Sequence, residues 1–72
     1  MKIERQKPRD EAIEKIENYM IRNRLQADDK LPSERAMCEM WDFNRSTLRS
    51  AIKQLISQGK IYNKNGSGTY VA

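Results

Sequence analysis

The sequence predicts an α+β chain with a winged helix-turn-helix, three helices followed by a small antiparallel hairpin, over 72 residues. Three observations carry the expectation. Ser33 and Asn44 are N-cap residues, and each opens a short amphipathic segment. Only Asp42-Phe43 separates the two segments, room for a tight turn and nothing more. The run Asn65-Gly66-Ser67-Gly68 then sits between two β-prone stretches and signals a hairpin. Helix, turn, helix, hairpin is the order such a fold requires.

Each element has its own signals. The first helix is expected near 10–23. Pro8 suits a first-turn position, and Asp10, Glu11 and Glu14 complement the positive end of the helix dipole. Ile13, Ile16 and Met20 recur at helical spacing, with Ala12, Tyr19 and Ile21 widening the stripe. Arg22 and Arg24 lie at the C-terminal end, and Asn23 is the expected terminator. Residues 26–30 form a polar connection, and Pro32 biases Leu31 toward extended backbone. The second helix is expected over 34–41, with Ala36, Met37, Met40 and Trp41 on one face.

The third helix is expected over 44–58. The Asn44 side chain is placed to take the backbone N–H of Ser46 or Thr47. Leu48, Ala51, Ile52, Leu55 and Ile56 match the apolar template, and Gly59 closes the helix in a left-handed cap. Ile61-Tyr62 and Thr69-Tyr70-Val71 read as the two strands of a hairpin near 61–71. Trp41, Phe43, Tyr62 and Tyr70 are assigned to the core or its edge. Stacking on exposed bases is disfavoured because they are not expected on one sheet face.

Composition excludes several function classes. This length is a single domain near the lower limit for folding without staples. Cys38 is the only cysteine and there is no histidine, so neither an internal disulfide nor a common zinc site is expected, and no cofactor. No apolar run approaches the ~20 residues of a membrane span. Residues 1–5 lack the apolar core of a signal peptide, so a cytoplasmic location is expected. Ser50-Ala-Ile-Lys53 matches a Ser-x-x-Lys pattern but lacks the companion motifs and the large domain of the enzymes that use it. Cys38 has no histidine to activate it, and packing is its expected role. No catalytic activity is expected.

Charge is more informative by position than in total. The net charge is +4. Residues 1–43 hold all 10 acids and 9 of the 14 basic residues, a net of −1; residues 44–72 hold the other 5 and no acid, a net of +5. Basic clustering on one element is the electrostatic footprint of nucleic-acid binding. The third helix carries Arg45, Arg49 and Lys53 at steps of four, with Ser46, Ser50 and Ser57 on the same polar side. A bundle stabilised for its own sake would mix Glu and Lys there. Arginine forks onto guanine O6 and N7, and Ser and Thr suit phosphate oxygens. A second glycine at the hairpin tip permits close approach to another surface. The competing expectation is a winged-helix protein-interaction module whose third helix packs on a partner; a salt titration of duplex binding separates the two.

These residues together resemble the N-terminal winged helix-turn-helix domain of the GntR family of bacterial transcription regulators. The resemblance spans roughly Ala12 to Ala72. It rests on Lys30-Leu-Pro-Ser-Glu-Arg35, Asn44-Arg-Ser-Thr-Leu-Arg-Ser-Ala51 and Gly66-Ser-Gly-Thr-Tyr-Val71, in order. The second and third blocks are most similar in wording to the HutC-like branch. The resemblance implies that Arg35 and Arg45 read guanines and that Arg49 supports phosphate or base contacts. It further implies that Ser33, Ser46 and Thr47 hold the DNA backbone and that Gly66 lies at the minor groove. Asn44, Lys53 and Lys64 complete the candidate DNA-binding set. The family often has glycine where this chain has Asp28 and Asp42, which implies left-handed aspartates at some cost. Members carry a C-terminal domain that binds a small effector and pairs two subunits. The expectation is therefore the DNA-binding part of a homodimeric regulator, a repressor by class, acting on a palindromic operator in double-stranded DNA.

Overall fold

The computed structural model describes residues 7–72, and residues 1–5, which lack a signal-peptide core, lie outside them. The elements are α1 (Pro8–Arg22), α2 (Glu34–Trp41), α3 (Arg45–Ser57), β1 (Ile61–Lys64) and β2 (Gly68–Val71). This is the expected winged helix, with α1 beginning two residues earlier than its stripe implied. Pro8 occupies the first turn of α1 with Asp10 and Glu11 beside it. Ser33 Oγ accepts from the Ala36 amide at 3.1 Å, and Asn44 Oδ1 accepts from the Thr47 amide at 2.8 Å. Each cap satisfies one orphan donor and is worth about 1 kcal/mol.

The α1, α2 and α3 helices enclose one core of Ala12, Ile16, Leu31, Met37, Leu48, Ala51, Ile52, Leu55 and Ile61. Trp41 and Phe43 pack against it, and Tyr19 meets Trp41 edge to face at 6.1 Å. Three apolar residues of the predicted stripes fall outside. Ile21 is 74% exposed, Met40 50% and Ile56 36%. The core is small, and only the residues central to each stripe reach it. Lys60 Nζ ties the end of α3 to α1 through Glu17 Oε2 at 2.6 Å.

The helix ends explain the turns. The amides of Gly59 and Lys60 donate to the carbonyls of Ile56 and Leu55, a Schellman closure with Gly59 left-handed as expected. Asp42 caps α2 at φ 58°, and its amide and that of Phe43 both donate to the Cys38 carbonyl. Asp28 is also left-handed, at φ 73°. Asn23 terminates α1 as expected, but Arg24 takes the left-handed position, at φ 51°. An L-residue there is strained, and aspartate less so than most. Replacing Asp42 by Gly is expected to leave the fold intact and raise stability by roughly 0.5 kcal/mol or more. Chemical denaturation checks this; a loss of stability would show that the Asp42 side chain contributes beyond its backbone conformation.

The hairpin spans 61–71 as expected, and its strands run further toward the tip than Ile61-Tyr62 and Thr69-Tyr70-Val71. Ile61 pairs with Val71, Tyr62 with Tyr70, Asn63 with Thr69 and Lys64 with Gly68. Residues 65–67 form the loop, where the Ser67 amide donates to the Lys64 carbonyl at 2.9 Å. Only Gly66 of these is left-handed, at φ 73°, which places it at the third position of a type II-like turn rather than in a two-residue hairpin loop. The connection at 28–31 is more ordered than a polar loop. The amide of Leu31 donates to the Thr69 carbonyl, that of Asp28 to Val71 and that of Val71 to Asp29, so this segment lies along β2 and makes an isolated antiparallel bridge between Lys30 and Tyr70. The extended backbone before Pro32 makes that pairing possible.

Candidate nucleic-acid interface

Helix α3 sets the site. Its 3.6-residue period turns Leu48, Ala51, Ile52 and Leu55 into the core, so the intervening polar residues face out. Arg45, Ser46, Arg49, Ser50 and Lys53 line one shallow hollow on that outer side. Arg45 also lines a second hollow, with Arg35, Cys38 and Glu39 of α2. Arg45 thus joins the α2 and α3 cations into one surface, as the tight turn at 42–43 requires. A third hollow brings Arg49 and Lys53 together with Glu34, Ile52, Ile56 and Asn63.

The cations differ in how they are held. Arg45 and Lys53 have no ion pair among the described residues. Arg49 Nε donates to Glu34 Oε1 at 3.3 Å, an interhelical contact. Arg35 Nε lies 3.8 Å from Glu39 Oε2, an exposed pair one turn apart on α2. Both carboxylates approach the guanidinium at Nε. Exposed pairs of this kind contribute about 0.2–1 kcal/mol and are readily exchanged for a phosphate or base.

The remaining candidates divide by element. The hydroxyl of Ser33 is used in capping α2, and the side chain of Asn44 in capping α3. Thr47 is half-buried, with its amide on Asn44. Lys64 and Gly66 lie on the hairpin and line none of the α2–α3 hollows. Gly66 is exposed at the tip, and a side chain there would meet nothing within 4 Å. Lys64 Nζ lies 5.9 Å from the centre of the Tyr70 ring.

Sequence reasoning missed Glu34, Glu39 and Asn63 as parts of this surface. Asn63 was accessible to it, because strand alternation puts it on the same face as Ile61. The glutamates were not, since an acid-free third helix said nothing of acids supplied by α2. The tyrosines require a correction. Tyr62 and Tyr70 do share one sheet face, as direct cross-strand partners with rings stacked at 5.6 Å. Neither packs in the core. The Tyr62 hydroxyl donates to Asp28 Oδ1 at 2.7 Å, and that bond to a carboxylate raises its pKa above the ordinary phenol value.

Among the described residues no cluster of ligands could hold a metal ion, and no helix is long and apolar enough to cross a membrane. Comparison with known proteins bears on this surface. The repressor NagR of Bacillus subtilis is 34% identical over 62 residues, which cover 86% of this chain and 26% of that protein. The repressor MngR of Escherichia coli is 36% identical over 61 residues, 85% of this chain and 25% of that protein. The chain thus spans about a quarter of the length of these relatives. The DNA-binding domain of AraR, solved in complex with operator ORR3, superposes with a TM-score of 0.89 at 29% identity, covering all of this chain and 87% of that one. YydK of Bacillus subtilis gives 0.87 at 27% identity, over 92% of this chain and 29% of that one. The family model described as bacterial regulatory proteins, gntR family, matches residues 8–71, and with this fold and this basic third helix the chain belongs to that family.

Proposed function

We propose that this domain is a sequence-specific reader of duplex DNA in a bacterial transcription regulator. Helix α3 enters the major groove, and the β1–β2 wing lies at the minor groove. One observation carries the reading: Arg45, Ser46, Arg49, Ser50 and Lys53 share an outer hollow on a helix without acids, and Arg45 extends it to Arg35. Arg45 and Arg35 are assigned to base edges, where a bidentate arginine selects guanine. Arg49, Lys53, Lys64, Ser33, Asn44, Ser46 and Thr47 are assigned to positioning on phosphates, with Gly66 at the minor groove. The AraR domain solved with operators, nearly superposable on this one, supports the assignment. The NagR and MngR descriptions support repression, and the NagR likeness agrees with a HutC-like branch.

The whole regulator is a cytoplasmic homodimer in this proposal. A further domain pairs the subunits and binds a small effector, and the operator is palindromic. The domain acts by binding rather than by catalysis and needs no cofactor.

Replacing Arg45 by Ala is expected to cost about 1–3 kcal/mol and to relax preference at one base pair. Replacing Lys53 by Ala weakens all duplexes alike and lowers the salt slope by about one. Fluorescence anisotropy on a randomised duplex panel separates these effects. An unchanged ratio of preferred to random DNA after Arg45→Ala would overturn the base-reading role.

A further inference from the structure

We propose that the outer face of the wing carries a cradle for a backbone phosphate, built from Lys30, Lys64, Ser67 and Tyr70. The proposal rests on the duplex-reading function above and adds a site outside the helix-turn-helix.

The strand register places these residues together. Ile61 and Val71 turn toward the core, so their alternates Tyr62, Lys64, Gly68 and Tyr70 occupy the opposite face. Lys30 pairs with Tyr70 across the other edge of β2, which puts its side chain on that same face. Its stem crosses Gly68: a Cβ built on that glycine would lie 3.1 Å from Lys30 Cε and 3.9 Å from Nζ. Lys64 is the direct partner of Gly68 on β1. Two lysines therefore flank one bare stretch of backbone, and a side chain at residue 68 would press on the stem of Lys30. Gly68 also has φ +132°, a conformation that L-residues rarely adopt.

Hydroxyls complete the cradle. Ser67 Oγ and the Tyr70 hydroxyl lie 2.6 Å apart. One of them donates to the other, which leaves the acceptor's own proton for an outside oxygen. Stacking on Tyr62 holds the Tyr70 ring in place.

The charges on this face are not neutralised internally. Neither Lys30 nor Lys64 has an ion pair among the described residues. Of the carboxylates nearest Lys30 in sequence, Asp28 lies beside this face, where it accepts from the Tyr62 hydroxyl, and Asp29 accepts from the Gln26 amide; neither is ion-paired with Lys30 or Lys64. Two ammonium groups with one hydroxyl donor suit a phosphate oxyanion. The wing tip at Gly66 is only two residues from Gly68, so a tip at the minor groove brings this face beside the phosphate ridge bounding it.

The test uses the domain as it stands, with Lys30→Gln, Lys64→Gln and Tyr70→Phe. Each lysine variant is expected to weaken preferred and random duplexes by the same factor, and the double variant Lys30→Gln/Lys64→Gln to reduce the log–log salt slope by about 0.9, one phosphate's worth. Tyr70→Phe weakens binding with the slope unchanged. Replacing single phosphates by neutral methylphosphonates locates the partner. One position should weaken the wild type, weaken either lysine variant less, and have no effect on the double variant. Circular dichroism and thermal unfolding confirm that the variants are folded. An unchanged slope in the double variant, or a methylphosphonate profile identical between wild type and the double variant, would overturn the cradle. Inorganic phosphate shifting the amides of residues 67–70 as strongly as duplex does would also overturn its assignment to the DNA backbone. These failures differ from failure of the parent function: if Arg45→Ala still removes base preference, only the cradle is lost.

Discussion

Joining two copies of this domain through a dimerising module is expected to tighten binding to a palindromic duplex by about 10²–10⁴-fold, with the preferred bases unchanged. A lone winged helix of this size buries roughly 600–1,000 Å² on DNA, and phosphate attraction supplies much of its affinity. It should therefore bind a half-site weakly at physiological salt. Once one copy is bound, the second experiences a millimolar effective concentration if the linker spans the half-sites. Half-sites set about 34–36 Å apart place both third helices on one face of the duplex. Anisotropy titrations of single and joined domains, on half-site and palindromic duplexes, measure the gain. Equal affinity of the two forms for the palindrome would remove pairing from the proposed mechanism. A gain accompanied by altered base preference would mean that joining changes how α3 sits in the groove.

The helices were legible because their signals are local and redundant. Ser33 and Asn44 cap as expected, Gly59 closes α3, and the α3 stripe from Leu48 to Leu55 is buried. What a stripe does not reveal is how wide the neighbouring elements make the core. Ile21, Met40 and Ile56 fit helical spacing yet remain exposed, because no element among the described residues covers those flanks. The pairing of residues 28–31 with β2 was hidden for a different reason. Its partners lie some 40 residues away, and a polar connection carries no periodicity from which an edge strand could be read.

The candidate site was legible as a set of cations but not as an arrangement. Spacing alone put Arg45, Arg49 and Lys53 on one side of α3. That Arg49 is held from α2 by Glu34, while Arg45 has no ion pair among the described residues, depends on the angle between the two helices. The same holds on the wing. Alternation from Ile61 would have placed Tyr62 and Tyr70 on one face had the strands been drawn at their full length. The shorter strands assumed from sequence concealed the register that pairs them.

Replacing Leu48 by Ala should have the largest effect on the domain itself, and it separates folding from recognition. Leu48 is fully buried on α3, three residues after Arg45 and directly before Arg49. Leu→Ala changes at such sites cost about 2–5 kcal/mol. A chain of this length has a total stability on the order of 4–11 kcal/mol at 0.05–0.15 kcal/mol per residue. The variant should therefore lose at least about 10 °C in thermal midpoint, at roughly 4–8 °C per kcal/mol. Any fall in its apparent affinity should be by the same factor on every duplex, and should appear only where the folded fraction drops, because only folded molecules bind. Saturating DNA should restore part of the midpoint, since the duplex binds the folded state alone. Arg45→Ala should do the opposite. Loss of an exposed arginine with no ion pair among the described residues leaves stability within about 0.5 kcal/mol while base preference collapses. Thermal unfolding with and without duplex, read beside the duplex panel, checks both variants. If Leu48→Ala unfolds no earlier, the packing of α3 on the core is wrong. If it alters base preference while remaining folded, the buried face of α3 tunes how its arginines meet the groove, and folding and reading are not separable on this helix.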